Sequence, residues 1–508
     1  MRPSQDTLPP IVSDKVLHHE EHETGSLPPA SVTLLRQRRK LHVINPLWYR
    51  NSLLASVGFL EFANAGDFAA NVWNDVPVPL YAIIFMAIGG PLALLISGFA
   101  VRDSVLSWQN VRILQRERTY LKSLQAQHLE CPAPDATTLR FIDRRLGVSH
   151  RELGTELVDR IVMDVFLGIG GLLVGTGTIM AIWGSDRHVY FISNLLSGYV
   201  GNSFAAIYGI INAIWSAYLV WRFHSYECAC SRSGAMLAPF RDRLQRRFQC
   251  FKWHAVASGW TGLIAGGASM MTSRLWEGYV VLIPCMLLEV ACNRFWRGQL
   301  GYDRPIVAPD SPLHRGILVP ESPYNPASSS SSNSNSNSSS PQLGYPKPTI
   351  PVPDHKTKQG ATINPDEEEK EEDRLLLDAL SSVISLQTAL IPVLPSTLVL
   401  EDVDWTSLDS LLLFIVNNHL FDCLCDWLAT NSAVPKDFRH RVFRLATNPS
   451  FSEITVTLTD LRHLSDVEDR PRMLEMCQLF LQTEARQVMI GRERYLLEMV
   501  GYTIWKND

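Results

Sequence analysis

Acidic side chains inside long apolar runs need a physical reason to be there, and this chain has few of them. Asp164, Glu277 and Glu289 fall in or beside the longest uncharged stretches, together with Asn194, Asn202, Asn212 and Asn293. A charge at mid-bilayer costs about 2.5–3.5 kcal/mol on insertion scales. Asp164, Glu289 and Asn293 are therefore the candidates for an intramembrane polar site, and passage of a proton or small ion is the chemistry they suggest. A structural reading stands beside this one. Each carboxylate lies close to an end of its run, where it can snorkel towards the headgroups; Arg274 can pair with Glu277, and Asn293 and Arg294 with Glu289.

Sulfur and imidazole offer less. Cys228/Cys230 and Cys423/Cys425 are Cys-x-Cys pairs, whereas zinc sites favour gaps of two to four residues. Cys228 and Cys230, at the end of an apolar run, can instead be read as acylation sites or as ordinary thiols. The cluster His18, His19 and His22 lies in a polar segment that gives a metal no fixed geometry. The chain has no His-Glu-x-x-His run, no phosphate-cradling Gly-x-x-x-x-Gly-Lys-Ser/Thr loop and no Gly-x-Ser-x-Gly elbow. No catalytic residues, metal or cofactor are expected, and the chain reads more as a non-enzyme than as an enzyme. A net charge of -5 leaves it without the basic footprint of a nucleic-acid binder.

Long apolar elements must position the polar candidates. Pro79 to Val101 is an uncharged run of 23 residues, about 34 Å as a helix and enough for a hydrocarbon core of about 30 Å. Gly89-Gly90-Pro91 predicts a kink within it. Further spans are expected near 161–183, 199–221, 253–272 and 275–293, with Trp183, Tyr199, Trp221, Trp253 and Trp276 near their ends, where amphipathic rings favour the headgroup boundary. That makes about five spans. Residues 52–73 carry Glu61, Asn64, Asp67 and Asn71, each costly in lipid, and read as an interfacial or re-entrant helix; a sixth crossing is the alternative. The pairs Gly171/Gly175 and Gly262/Gly266 have the four-residue spacing that lets two helix backbones approach closely.

Ten Lys or Arg in 102–160 and seven in 222–252, against only Arg187 and Arg274 in the intervening loops, place the basic loops and the carboxyl terminus in the cytosol. The expected fold class is all-α: a polytopic transmembrane helix bundle followed by a disordered linker and a soluble helical domain. A disordered polar tail is expected over 1–51, the transmembrane helical domain over 52–304, a Pro/Ser/Asn linker over 305–371 and a cytosolic helical domain over 372–508, with helices over 406–430, 435–447 and 471–500.

The segment Val78 to Leu121, which joins the first span to the helix containing Trp108-Gln109-Asn110-Val111-Arg112, together with the tract of Ser and Asn over 328–340, looks like uncharacterised fungal multi-span integral membrane proteins. The resemblance implies a membrane location and no activity. The expectation from the residues is an integral membrane protein with the lipid bilayer around it, whose domain 372–508 recruits or senses a cytosolic protein. A transporter or channel for a small solute or ion is the alternative.

Overall fold

The computed structural model describes residues 30–37, 40–45, 48–51, 60–73, 77–130, 136–233, 235–307, 365–390, 403–445, 453–463 and 469–508. The histidine cluster at 18–22, the Ser/Asn tract and most of the expected linker lie outside them. The structure is mostly helical, in keeping with the all-α class, with two small sheets.

Strands β1 (Ser31–Gln37) and β2 (Lys40–Asn45) form an antiparallel hairpin, and β3 is the pair Trp48–Tyr49. Next come α1 (Leu60–Asn64), a 3-10 turn (Ala65–Asp67) and α2 (Phe68–Val72). None of these pieces is long enough to cross a membrane, and Leu60, Ala63, Asp67, Ala69 and Ala70 are buried among longer helices. Helix α3 (Leu80–Glu130) runs for 51 residues and continues through Pro91. In its first half Ala82, Met86, Gly90, Ala93, Ser97 and Ala100 recur every three or four residues as the buried stripe, while Leu80, Ile84, Phe85, Ile88, Leu92, Leu95 and Phe99 face outward. In its second half Val111, Leu114, Leu121 and Leu124 pack inward.

Helix α4 (Ala136–Thr155) passes through a π-helical turn (Glu156–Val162) into α5 (Met163–Ala181). Helix α6 (Arg187–Asn194) does likewise through Leu195–Gly201 into α7 (Asn202–Arg232). Then follow α8 (Arg241–Met271), α9 (Glu277–Phe295), a π turn (Trp296–Leu300) and β4 (Arg304–Pro305), which pairs with β3.

Among the described residues three helices are long and apolar enough to cross a membrane: Leu80–Glu130, Arg187–Arg232 and Glu277–Leu300. A fourth is added if the bent pair Leu408–Asn417 and Phe421–Thr430 counts as one span. This corrects the expected count of about five. The expected spans 161–183 and 253–272 are helical but are not among the three. Helix α5 is rich in glycine and buries ten of its 19 residues against its neighbours, with Val165, Ile169 and Leu172 outward. Helix α8 opens on a basic stretch and dilutes its apolar half with Gly, Ser and Thr.

In the C-terminal region α10 (Pro365–Ala389) precedes α11 (Leu408–Asn417), α12 (Phe421–Thr430), α13 (Lys436–Leu445), β5 (Glu453–Thr457), α14 (Leu458–Arg462), α15 (Asp469–Phe480) and α16 (Arg486–Asn507). The single helix expected over 406–430 is broken between α11 and α12, where the two axes turn by 114° and His419 takes a left-handed φ of 54°. A capping box of Thr457 and Asp460 starts α14.

Strand β5 pairs antiparallel with β1, in register Val32↔Val456 and Leu34↔Ile454, so the sheet order is β2-β1-β5. Val32 and Leu34 thereby enter the C-terminal core with Leu412, Ile415, Phe421, Leu424, Phe438, Phe480 and Met489. Strands β1 and β2, expected within a disordered tail, thus pack on this core through Val32, Leu34, Leu41 and Val43. The alternation in Ser31-Val32-Thr33-Leu34 is what a half-buried strand requires.

A second core lies at the basic end of the bundle, where Phe223, Tyr226, Leu244, Phe248 and Phe251 meet Leu377, Leu380, Leu497 and Val500. Helices α15 and α16 are joined without interruption through the π turn Leu481–Ala485. One rod therefore contributes Met473, Phe480 and Met489 to the first core and Leu497 and Val500 to the second.

Candidate functional site

Polar side chains converge at two places near the basic end of the bundle, each assembled from segments far apart in sequence. The larger is an ion network with Arg304 at its centre. Its guanidinium donates to Glu152 at 2.8 and 2.6 Å and to Glu117 at 2.9 and 2.7 Å, so one arginine forks to two carboxylates. Beside it Arg151 donates to both oxygens of Glu498, at 2.8 and 2.5 Å, and to the Tyr302 hydroxyl at 2.7 Å. Arg145 donates to the Tyr495 hydroxyl and the Pro305 carbonyl, both at 3.0 Å. Arg304 and Arg151 are 1 % and 2 % exposed at the side chain, and Glu117, Glu152 and Glu498 are fully buried.

Helical periodicity explains how these charges come inside. Glu117 falls on the same face of α3 as Leu114, Leu121 and Leu124. Arg145, Val148, Arg151 and Glu152 share the buried face of α4. Tyr495, Glu498 and Met499 do so on α16. The β3–β4 pairing brings Arg304 to them.

Burial pushes the carboxyl of Glu498 up, but the adjacent Arg151 guanidinium, its hydrogen bonds and the more distant Arg222 and Arg247 outweigh this and hold it below the ordinary carboxylate value. Glu117 is likewise raised by burial and brought lower by Arg304 and Arg145. Arg304 loses from burial, yet its two carboxylates hold it well above the usual arginine value. The three carboxylates and the Arg304 and Arg151 guanidinium groups are paired, so the arrangement fixes geometry, while Nη1 of Arg145 has no hydrogen-bond partner.

The second place is a cavity of about 60 Å³ between α4, the following π turn and helices α5, α7, α8 and α9. Asp159, His254, Ser258, Glu289 and Asn293 line it, with Thr155 and Trp296. Asp159 accepts from the Trp215 indole at 3.2 Å, and Glu289 from the Ser258 hydroxyl at 3.2 Å. Neither Thr155 Oγ1 nor Asn293 Oδ1 has a hydrogen-bond partner. A cavity of this size has room for a water molecule.

Of the sequence candidates, Glu289 and Asn293 thus meet at one cavity, one helical turn apart on α9. Asp164 is buried one turn beyond Arg160 and does not line the cavity. It is close to Asp103, whose carboxylate pairs with Arg160 at 2.8 Å. Glu156 caps that second cluster by accepting from Ser107 at 2.6 Å, Arg160 at 2.9 Å, Tyr49 at 3.0 Å and Asn110 at 3.1 Å. Glu277 is exposed.

The four packing glycines all lie at close helix approaches. A Cβ on Gly171 would stand 2.6 Å from Ser97 Oγ, and one on Gly175 2.8 Å from the Gly90 carbonyl, both on α3. On α8, Gly262 faces Asn212 at 2.9 Å and Gly266 faces the Ala206 backbone at 2.7 Å, both on α7. Eight cysteines are described as free thiols, and no grouping of three or more His, Cys, Asp or Glu among the described residues has the closeness to hold a metal ion.

The ion network escaped sequence reasoning because its hydrogen-bonded members are separated by up to 350 positions. One signal was available: Glu117 interrupts the apolar stripe Leu114, Leu121 and Leu124, and a charge on a buried stripe calls for a buried partner. Compared with family models, with curated proteins and with solved structures, the chain matches none of them.

Proposed function

We propose that this chain is a multi-span integral membrane protein without catalytic activity, whose cytosolic C-terminal domain recruits or senses a protein partner and is wired to the bundle through α16. The observation that carries the reading is the continuous rod of α15 and α16, which belongs to two cores at once and is pinned at the bundle by the Arg151–Glu498 pair. A state change at either end must be felt at the other, because buried, fully paired charges do not slide past one another without loss of their partners.

The membrane reading rests on the outer surface. Among the described residues, all the large apolar side chains that stand exposed, except Leu375 and Trp505, lie between residues 80 and 295. In water such a band would be an aggregation surface. Most exposed tryptophans of the bundle stand near the ends of the apolar stretches, Trp183 and Trp276 at one end and Trp108, Trp221 and Trp253 at the other, with Trp260 between them. The basic loops share the second end, and their excess of Lys and Arg supports reading that end as cytosolic.

The test uses the full chain. It should remain in the pellet when membranes are washed with alkaline carbonate, and release into the supernatant would end the membrane reading. Cross-linking in intact membranes should then capture a partner through residues 403–508, and this capture should be lost in Leu412→Asp, which breaks the domain core. Cross-links that are unchanged in that variant would overturn recruitment. A second reading, movement of a proton or small ion, is favoured by the cavity at Glu289 and Asn293. It is tested by flux into liposomes carrying the full chain against the Glu289→Gln variant.

A further inference from the structure

Outside both of these places, the short broken segment α1–α2 carries one carboxylate into the bundle with no cation beside it. Asp67 is 0 % exposed. Its oxygens accept from the Tyr279 hydroxyl at 2.7 Å, from Asn71 Nδ2 at 2.8 Å and, at the limit of a hydrogen bond, from Asn202 Nδ2 at 3.5 Å. Asn202 Nδ2 also donates to Thr272 Oγ1 at 3.2 Å, and Asn71 to the Tyr279 hydroxyl at 3.0 Å. Around the carboxylate stand the Gly66/Gly89 approach to α3, Asn202 where a π turn opens α7, Thr272 at the end of α8 and Tyr279 at the start of α9. Tyr279 is the one titratable group among the described residues that meets it, and no Lys, Arg or His occurs between Arg50 and Arg102. Asn202 is itself fully buried, and its Oδ1 has no partner.

A carboxylate without a counter-charge in such an interior is costly to keep ionised, and a group in that position takes up a proton. We propose that Asp67 is a proton-binding site, in which Tyr279, Asn71 and Asn202 form a neutral cradle that accommodates the carboxyl both with and without its proton. Uptake balances simply: one hydronium gives its proton to a carboxylate oxygen and leaves as water. The route is short, because Thr272 adjoins the α8–α9 corner, where Arg274, Leu275 and Trp276 are exposed. The irregular backbone agrees with the proposal, since broken helices and π turns collect where a bundle handles ions. The site does not depend on the role of the C-terminal domain, because Asp67 is buried by the bundle itself.

Infrared difference spectroscopy on the full chain in detergent, recorded between neutral and alkaline pH, reads the carbonyl stretch of a protonated carboxyl. The wild type should show a band that disappears as pH rises, and Asp67→Asn should lack it; the same band in both proteins would overturn the proposal. Tyr279→Phe removes one donor to the charged form without changing charge or volume much. It should raise proton affinity roughly tenfold, moving the midpoint up by about one pH unit, and an unmoved midpoint would count against the cradle. Replacing choline with sodium at fixed pH should leave the band as it was. Its loss in sodium would give the site to a metal cation and end the proton assignment.

Discussion

The two halves of the bundle solve the problem of a buried carboxylate in opposite ways. At the basic end Glu117, Glu152 and Glu498 are matched by Arg304 and Arg151 in forked pairs. Towards the other end Asp67 has only neutral donors. The difference separates two uses of charge. A paired set is expensive to open and therefore holds parts of the chain together, whereas a lone carboxyl among neutral donors can change its protonation without any part of the chain moving far.

The contrast is broken most severely by removing the centre of the paired set. Arg304→Ala leaves Glu117 and Glu152 buried together with only Arg145, 3.8 Å from Glu117, as an ion-pair partner, and loss of one member of a buried pair costs about 3–5 kcal/mol. Thermal unfolding of the full chain in detergent should show a large drop in midpoint. A change of less than about 1 kcal/mol would mean that water reaches the network.

Acid should weaken the same junction. Glu498 and Glu117 are held below the ordinary value of 4.5 when folded, by Arg151 and by Arg304 with Arg145 against the opposing effect of burial. A folded value that is depressed gives stability that is present above pH 4.5 and lost as pH falls through the folded value. Protection against hydrogen exchange along residues 486–507, taken relative to the intrinsic rate at each pH, should therefore be high at neutral pH and fall in acid. Protection that does not change down to pH 3 would show that the carboxylates do not secure α16.

Replacing both members of one pair should do far less than removing one. In Arg151→Met with Glu498→Met no unpaired charge is left from that pair, and apolar side chains of similar length can fill the space, so the expected loss is about 1 kcal/mol or less. Measured against the Glu498→Met single variant, a double variant that is no better would show that Glu498 matters to Arg222 and Arg247 as much as to Arg151.

The same contrast explains what could be read in the sequence. The uncharged run from Pro79 to Val101 and the spaced glycines were legible because they are local: a helix repeats every 3.6 residues, and its composition states its surroundings. Long apolar runs overstate the count of candidate spans: α8 is diluted with Gly, Ser and Thr, and α5 buries ten of its 19 residues while Val165, Ile169 and Leu172 stay exposed. Glu289 and Asn293 were legible as neighbours one turn apart, and the structure adds His254, Ser258 and Asp159 to them from other helices. The network could not be paired from sequence, since Arg304 and Glu152 are 152 positions apart and Arg151 and Glu498 are 347 apart. The β1–β5 pairing, which joins Thr33 to Thr455 across 422 positions, was hidden for the same reason. Asp67 was legible only as a cost in lipid; its partners come from three other helices.

The smallest expected effect on stability tests the lone carboxyl most sharply. Asparagine at position 67 has the shape of a protonated aspartic acid: one acceptor oxygen, and a donor where the acid carries its proton. If Asp67 holds a proton at neutral pH, Asn71 needs only to turn its amide to present an oxygen, and Asp67→Asn should change the unfolding midpoint by the equivalent of less than about 1 kcal/mol. If Asp67 is instead ionised, the substitution removes hydrogen bonds to a charged group worth about 1.5–3 kcal/mol each, and the protein should be visibly weaker. At alkaline pH the ordering reverses, because the wild type must then keep a charge in the interior and the variant does not. A variant that is equally stable at neutral pH and more stable in alkali is the expected result, and a variant weaker at both would place Asp67 with the paired carboxylates at the other end.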